Sequence, residues 1–109
     1  MRSFTYIDDV IESMILLYKK YLPSSDFCNI FNIGGKDSLS LKYFINIIEK
    51  NIGLKAKVEN LDLQTGDVGR TEACNNKLYS EINYTPQIRL DDGIKKFIKW
   101  YREFKEYNV

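Results

Sequence analysis

Three stretches of this chain carry apolar side chains at the spacing of an amphipathic helix, with breakers between them. In the first, Val10, Met14, Leu17, Tyr18 and Tyr21 keep the period, and Ile11, Ile15 and Leu22 widen the face. Pro23 and the cluster Ser24-Ser25-Asp26 stop it. In the second, Leu41, Phe44, Ile45 and Ile48 recur at i, i+3, i+4 and i+7. Ser40 is placed to cap its start, Lys50 favours its negative end and Gly53 is placed to stop it. The third runs from about Leu90 to Tyr107, with Leu90, Ile94, Phe97, Ile98, Tyr101 and Phe104 on one face. Asp91–Lys95 and Asp92–Lys96 support it as i, i+4 pairs.

Between these stretches the pattern reads as strand. Phe4–Ile7 is aromatic and β-branched, and Asp8 and Asp9 behind it suit an N-cap and first helical turn. Phe27–Ile33 reads as a second strand, turned out by Gly34-Gly35, and Lys55–Leu61 alternates as a half-exposed third. Asp62–Thr71 holds Gly66 and Gly69 without periodicity and reads as a loop, the kind of segment that carries binding groups. Asn75–Ile82 is a short helix candidate. The order β-α-β-α-β-α-α predicts an α/β fold, with residues 1–109 as a single compact domain.

Composition removes whole classes of function. The 109 residues contain no histidine, which excludes Ser-His and Cys-His nucleophiles and the commonest metal ligand. Cys28 and Cys74 stand far apart without a CxxC, so no metal site is expected. Sixteen basic residues against fifteen acidic give a net charge of +1, too balanced for a dedicated nucleic-acid binder. No apolar run approaches the ~20 residues of a membrane span. Met1-Arg2 leads straight into polar and aromatic residues, so no secretory leader is read and the chain is expected in the cytoplasm.

Few motifs carry chemistry. Neither GxGxxG nor GxxxxGK[ST] occurs. Tyr101 and Lys105 have the Tyr-x-x-x-Lys spacing in which a lysine lowers a tyrosine's pKa. With eight tyrosines in the chain such a coincidence is common, and Tyr101 sits on an apolar helical stripe. Asn83-Tyr84-Thr85 is a formal sequon. Lys95, Lys96, Lys99, Arg102 and Lys105 alternate with acids and read as a solvated face. Arg2 before a strand, and the loop Gln64-Thr65-Gly66-Asp67, are the places where polar groups stand ready for a ligand. From spacing alone the favoured account is Arg2 as a surface cation and Asp67 as a turn residue bonded locally.

At these positions the chain resembles a known family. Arg2-Ser3-Phe4-Thr5-Tyr6-Ile7-Asp8-Asp9-Val10 is similar to the R-[DS]-F-T-Y-I-D-D-[IV] segment of extended short-chain dehydrogenase-type nucleotide-sugar epimerases. Phe31-Asn32-Ile33-Gly34 resembles Y-N-I-G, and Gln64-Thr65-Gly66-Asp67-Val68 resembles Q-P-G-D-V. Thr71, Ala73, Lys77 and Leu78 fit T-x-A-D-x-x-K-L, and Tyr84-Thr85-Pro86 resembles G-Y-x-P. Leu90 through Ile94 with Phe97, Trp100 and Tyr101 resembles L-x-E-G-I-x-x-F-x-x-W-Y. The wording is that of the UDP-glucuronate 4-epimerase-like branch, and the order is kept along the chain. Cys74 stands where that family has an aspartate cap, and Arg89 where it has Ser or Thr.

The resemblance implies the C-terminal substrate-binding lobe of such an enzyme, with the Rossmann domain absent. It implies no catalytic residue and no cofactor-binding residue here, NAD being held by the complete family enzyme. Arg2 then contacts the diphosphate of a UDP-sugar, Asp67 accepts from ribose hydroxyls, and Gln64 gives a weaker phosphate contact. The lobe alone is expected to be inactive and to need a separate Rossmann-domain chain. The alternative is a non-catalytic remnant acting as an interaction module, forming a homodimer through the bare edge of Phe27–Ile33.

Overall fold

The computed structural model describes residues 1–22, 28–62 and 65–107. Its elements are β1 (Arg2–Ser3), α1 (Ile7–Tyr21), β2 (Ser38–Leu39), α2 (Leu41–Ile52), α3 (Asn76–Ile82) and α4 (Leu90–Tyr107). Helices α1 and α3 pack as one pair, and α2 and α4 as another. β1 and β2 form an antiparallel ladder with Arg2 opposite Leu39 and Ser3 opposite Ser38. Phe4 stacks on Phe44 at 4.4 Å, fastening the segment after β1 to α2.

The helices match the periodicity. Ser40 accepts from the Tyr43 amide at 3.1 Å, and Gly53 closes α2 in the left-handed conformation. At α1 the cap expectation is corrected: Tyr6 occupies the N-cap without a side-chain bond, and Asp8 and Asp9 both lie in the first turn. At α3 the N-cap is Asn75, not Cys74, which is exposed one residue earlier.

The strands depart from expectation, and the α/β alternation becomes an α-rich piece with one small ladder. Ile7, expected in a strand, opens α1, and residues 4–6 carry no regular structure. Residues 28–33 form no strand; Phe27 lies outside the described residues. That segment is held by a side chain instead. Lys77 donates to Asn29 Oδ1 and, at 3.0 Å, to the Ile30 carbonyl, with its ammonium 4.9 Å from the Phe31 ring. Lys55–Leu61 alternates as a strand would but has no neighbour to pair with among the described residues. Glu49 takes the place of a ladder at its start, accepting from Lys55 at 2.7 Å and from the Ala56 amide at 2.8 Å. These bonds hold the Glu49 carboxyl below its ordinary range.

Residues 33–35 thread between two other segments at very short range. A Cβ on Gly35 would lie 2.1 Å from the Phe4 carbonyl oxygen, and one on Gly34 2.3 Å from the Ala73 Cβ. Only glycine fits such a crossing. Ser3 Oγ donates to the Gly35 carbonyl at 2.6 Å, and the Gly35 amide donates to Thr5 Oγ1 at 2.9 Å. The Asn75 amide group bonds Gly34 at both its N–H and its C=O, at 3.0 and 2.7 Å.

The orientation of α1 is the least expected feature. Its fully buried residues are polar: Asp9 and Ser13. The Asp9 carboxylate accepts from the Tyr84 hydroxyl at 2.6 Å and the Ile88 amide at 2.8 Å, while Ser13 donates to the Asp9 carbonyl at 2.7 Å. The opposite side of the helix exposes Ile7, Ile11, Met14, Ile15, Tyr18 and Leu22. Asp8 pairs with Lys96 of α4 at 2.9 Å. Across the described residues the buried hydrophobic side chains are Ile47, Leu78 and Ile98, against twenty large exposed ones. The radius of gyration is 17.4 Å, where a compact chain of this length has about 13 Å. The accessible surface is 8890 Å², against about 6,300 Å² for a folded monomer of this mass. These residues leave uncovered a surface that their apolar content would bury.

Two outcomes follow from the Asp9 node. Asp9→Ala leaves a phenol and an amide without their acceptor, and urea denaturation should show a loss of about 3 kcal/mol. Burial, reinforced by the Asp9 carboxylate, pushes the Tyr84 phenol up to about 12 from its ordinary 10.0. A raised folded pKa favours the neutral phenol, so its contribution is complete below pH 10 and is lost as the pH climbs toward 12. Tyr84→Phe should be less stable at neutral pH and lack that alkaline component; an identical pH profile for both proteins would contradict the assignment.

Candidate functional site

Arg2 and Asp67, 65 positions apart in sequence, meet at the surface. β1 holds the Arg2 backbone against Leu39. The chain beyond Gly66, whose φ of 92° belongs to the left-handed region that glycine favours, returns alongside the start of β1. The Thr71 amide donates to the Met1 carbonyl at 3.2 Å. Arg2 Nη2 donates to Asp67 Oδ1 at 2.7 Å, and Nη1 donates to the Val68 carbonyl at 2.7 Å and to the Met1 carbonyl at 3.0 Å. The two side chains are 39% and 48% exposed, so solvent screens the pair. It contributes under about 1 kcal/mol, and its consequence is geometric.

Arg2 and Asp67, both singled out in the sequence, share one surface. Gln64 lies outside the described residues. A guanidinium here can hold an anionic oxygen, while the adjacent carboxylate can accept from hydroxyls.

No general base emerges from the tyrosines with resolved shifts. Tyr84 is raised by burial. Tyr43 is raised by donating to Asp91, and Tyr21 by donating to Glu81, the opposite of what a proton acceptor requires. Glu81 also takes Lys20 at 2.7 Å, and this cluster ties α1 to α3. The Tyr101–Lys105 spacing yields an ammonium 5.8 Å from the centre of the Tyr101 ring, a cation–π contact on the outside of α4. Among the described residues no group of three potential metal ligands gathers, and no helix is long and apolar enough to cross a membrane.

A cavity of about 280 Å³ opens between the segment after β1, α2 and the first half of α4. Its lining includes Phe4, Phe44, Ile94 and Phe97, with Thr5 and Tyr6 as the polar exceptions and no charged side chain. It does not include Arg2 or Asp67. Sequence reasoning missed the Asp9–Tyr84 node because an Asp pair at a helix start fits a capping role. The available signal was Ser13, one turn after Asp9, which puts two small polar residues on one face of an apolar helix.

No family model matches the chain. It is 34% identical to "Protein CapI" of Staphylococcus aureus, with 95% of this chain aligned to 35% of that protein. It is 37% identical to the UDP-glucuronate 4-epimerase of Thermodesulfobacterium geofontis, over 94% of this chain and 30% of that one. Its fold is similar to part of a crystal structure of UDP-glucuronic acid 4-epimerase from Bacillus cereus in complex with NAD. There the TM-score is 0.65 and the identity 30%, covering 86% of this chain and 27% of the other. The chain spans about a third of the length of the curated relatives it matches.

Proposed function

Starting from a chain that is an epimerase-like piece, we propose that it is the C-terminal substrate-binding lobe of an NAD-dependent nucleotide-sugar epimerase. It supplies contacts to a UDP-sugar and acts only together with the remaining two thirds of such an enzyme. The observation that carries this reading is the Arg2 guanidinium beside the Asp67 carboxylate, brought together from two motifs 65 positions apart. Arg2 holds phosphate oxygens of the diphosphate, Asp67 accepts from ribose hydroxyls, and Gln64 adds an amide.

The residues of this chain do not fit NAD. No glycine fingerprint opens a helix after a strand, and the Tyr101–Lys105 pair is a ring contact, not a hydrogen bond to a phenol. On this reading hydride transfer is the work of the two thirds of such an enzyme with which this chain does not align, and this chain's part is to bind and orient the nucleotide end. The outward apolar side of α1 supports a partner of that kind, because a helix that buries Asp9 and exposes Ile11, Met14 and Tyr18 needs cover from outside these residues. The alternative, a self-associating module without catalysis, was expected to pair through an edge at Phe27–Ile33; residues 28–33 form no strand, so it draws on the exposed side of α1 instead and is separated from the first by ligand binding.

Calorimetric titration of the chain with UDP should give weak, saturable binding. Mixing the chain with the remaining two thirds of the Thermodesulfobacterium geofontis enzyme should restore 4-epimerisation of UDP-glucuronate. Absence of both, together with a dimer in sedimentation, would favour the module. Ile11→Asp with Met14→Asp should change stability by no more than about 0.5 kcal/mol, since both side chains are exposed. The same double variant should fail to complement; undiminished complementation would remove α1 from the contact.

A further inference from the structure

Helix α4 packs on α2 and buries Ile98, but the flank beside that contact stays open. Phe97, Trp100, Tyr101 and Phe104 line it, each about half exposed. Their rings form a row, with centroids 5.7 Å apart from Phe97 to Trp100 and 5.4 Å from Trp100 to Phe104. The apolar cavity opens at the N-terminal end of this row, against Ile94 and Phe97. Written as a seven-residue repeat, α4 has Leu90, Phe97 and Phe104 at a, Gly93 and Trp100 at d, and Ile94 and Tyr101 at e. Lys96 and Glu103 fall at g, while the other charged residues of the helix fall at b, c or f, away from the seam.

We propose that this flank of α4 is a docking face for a second copy of the chain, the two α4 helices pairing antiparallel about a two-fold axis. Charge selects both the occupant and its direction. Lys96 and Glu103 stand seven residues, about 10 Å, apart along the helix, so they do not meet within one chain. There Lys96 pairs with Asp8, and Glu103 lies 4.0 Å from Lys99, all four side chains being exposed. In an antiparallel pair the g positions face each other, so Lys96 of each copy meets Glu103 of the other, twice by symmetry. A parallel pair would set Lys96 against Tyr101 and leave Glu103 without a cation across the seam. The antiparallel register also puts a opposite d, bringing Phe97 against Trp100 and Phe104 to Gly93, where the cavity lies. Aromatic side chains at the middle of a face are the common anchors of an interface. The accessible surface exceeds that of a folded monomer by about 2,600 Å². One side of a standard dimer needs about 800 Å², so a second copy on α4 leaves the exposed side of α1 for another partner.

The 109-residue chain has one tryptophan, Trp100, in the middle of this face. Sedimentation equilibrium should show a dimer, and Trp100 emission should move to longer wavelength as dilution separates the copies. Phe104→Glu, Lys96→Glu and Glu103→Lys should each weaken the dimer by about tenfold. The three side chains are about half exposed, so circular dichroism should show unchanged helix content. Combining Lys96→Glu with Glu103→Lys should restore wild-type dimerisation, because the pairs between copies re-form with reversed sign.

The proposal is overturned by a chain that stays monomeric with Trp100 emission independent of concentration, by a dimer that survives Phe104→Glu, or by a double charge swap that fails to restore association. A dimer lost in Ile11→Asp with Met14→Asp but kept in Phe104→Glu would move the second copy to α1. Emission that shifts only on adding the remaining two thirds of the Thermodesulfobacterium geofontis enzyme would overturn it as well, giving the face to that partner. None of these readouts involves UDP, so the nucleotide reading stands or falls separately.

Discussion

The Asp9 carboxylate is the interaction on which the arrangement of this chain turns. A buried carboxylate is costly unless its oxygens are satisfied, and here each has a donor, the Tyr84 hydroxyl and the Ile88 amide. Both donors lie in the segment leading into α4, so one acid on the first helix fixes where the last helix begins. Asp8 and Lys96 reinforce the same junction from the surface. Gly93 completes it, since a Cβ there would come within 2.9 Å of the Tyr6 ring.

That choice has a consequence on the far side of α1. With Asp9 and Ser13 turned inward, Ile7, Ile11, Met14, Tyr18 and Leu22 must point away from the body. A helix whose polar side is buried and whose apolar side is bare has its hydrophobic driving force reserved for something beyond these residues. The large radius of gyration and the surplus surface agree with so much apolar surface being left bare. The Arg2–Asp67 surface lies at a seam between the beginning of the chain and a returning loop, held by side chains and by the glycine crossing at 34–35.

Helices were legible because a helix closes its own hydrogen bonds. Ser40, Gly53 and the 3.6-residue stripes locate α2 from local chemistry alone, and the bounds of α4 follow in the same way. Strands were not legible, because a strand exists only where a distant segment offers a ladder. Residues 28–33 and Lys55–Leu61 have suitable side chains, yet Lys77 and Glu49 hold them through polar bonds instead. At the site, Arg2 and Asp67 were singled out by the wording of short motifs. Nothing in those motifs says that the two groups bond to each other.

The sequence by itself settled the helical segments, the caps of α2, the lack of histidine-based chemistry, and the identity of the polar groups available to a ligand. Only the tertiary structure decided which side of α1 faces inward, which pairs of helices touch, and that Arg2 meets Asp67. Local periodicity reports that a helix has two unlike sides. It does not report which one has a neighbour, because that depends on the free energy of burying an acid against donors more than 70 residues away.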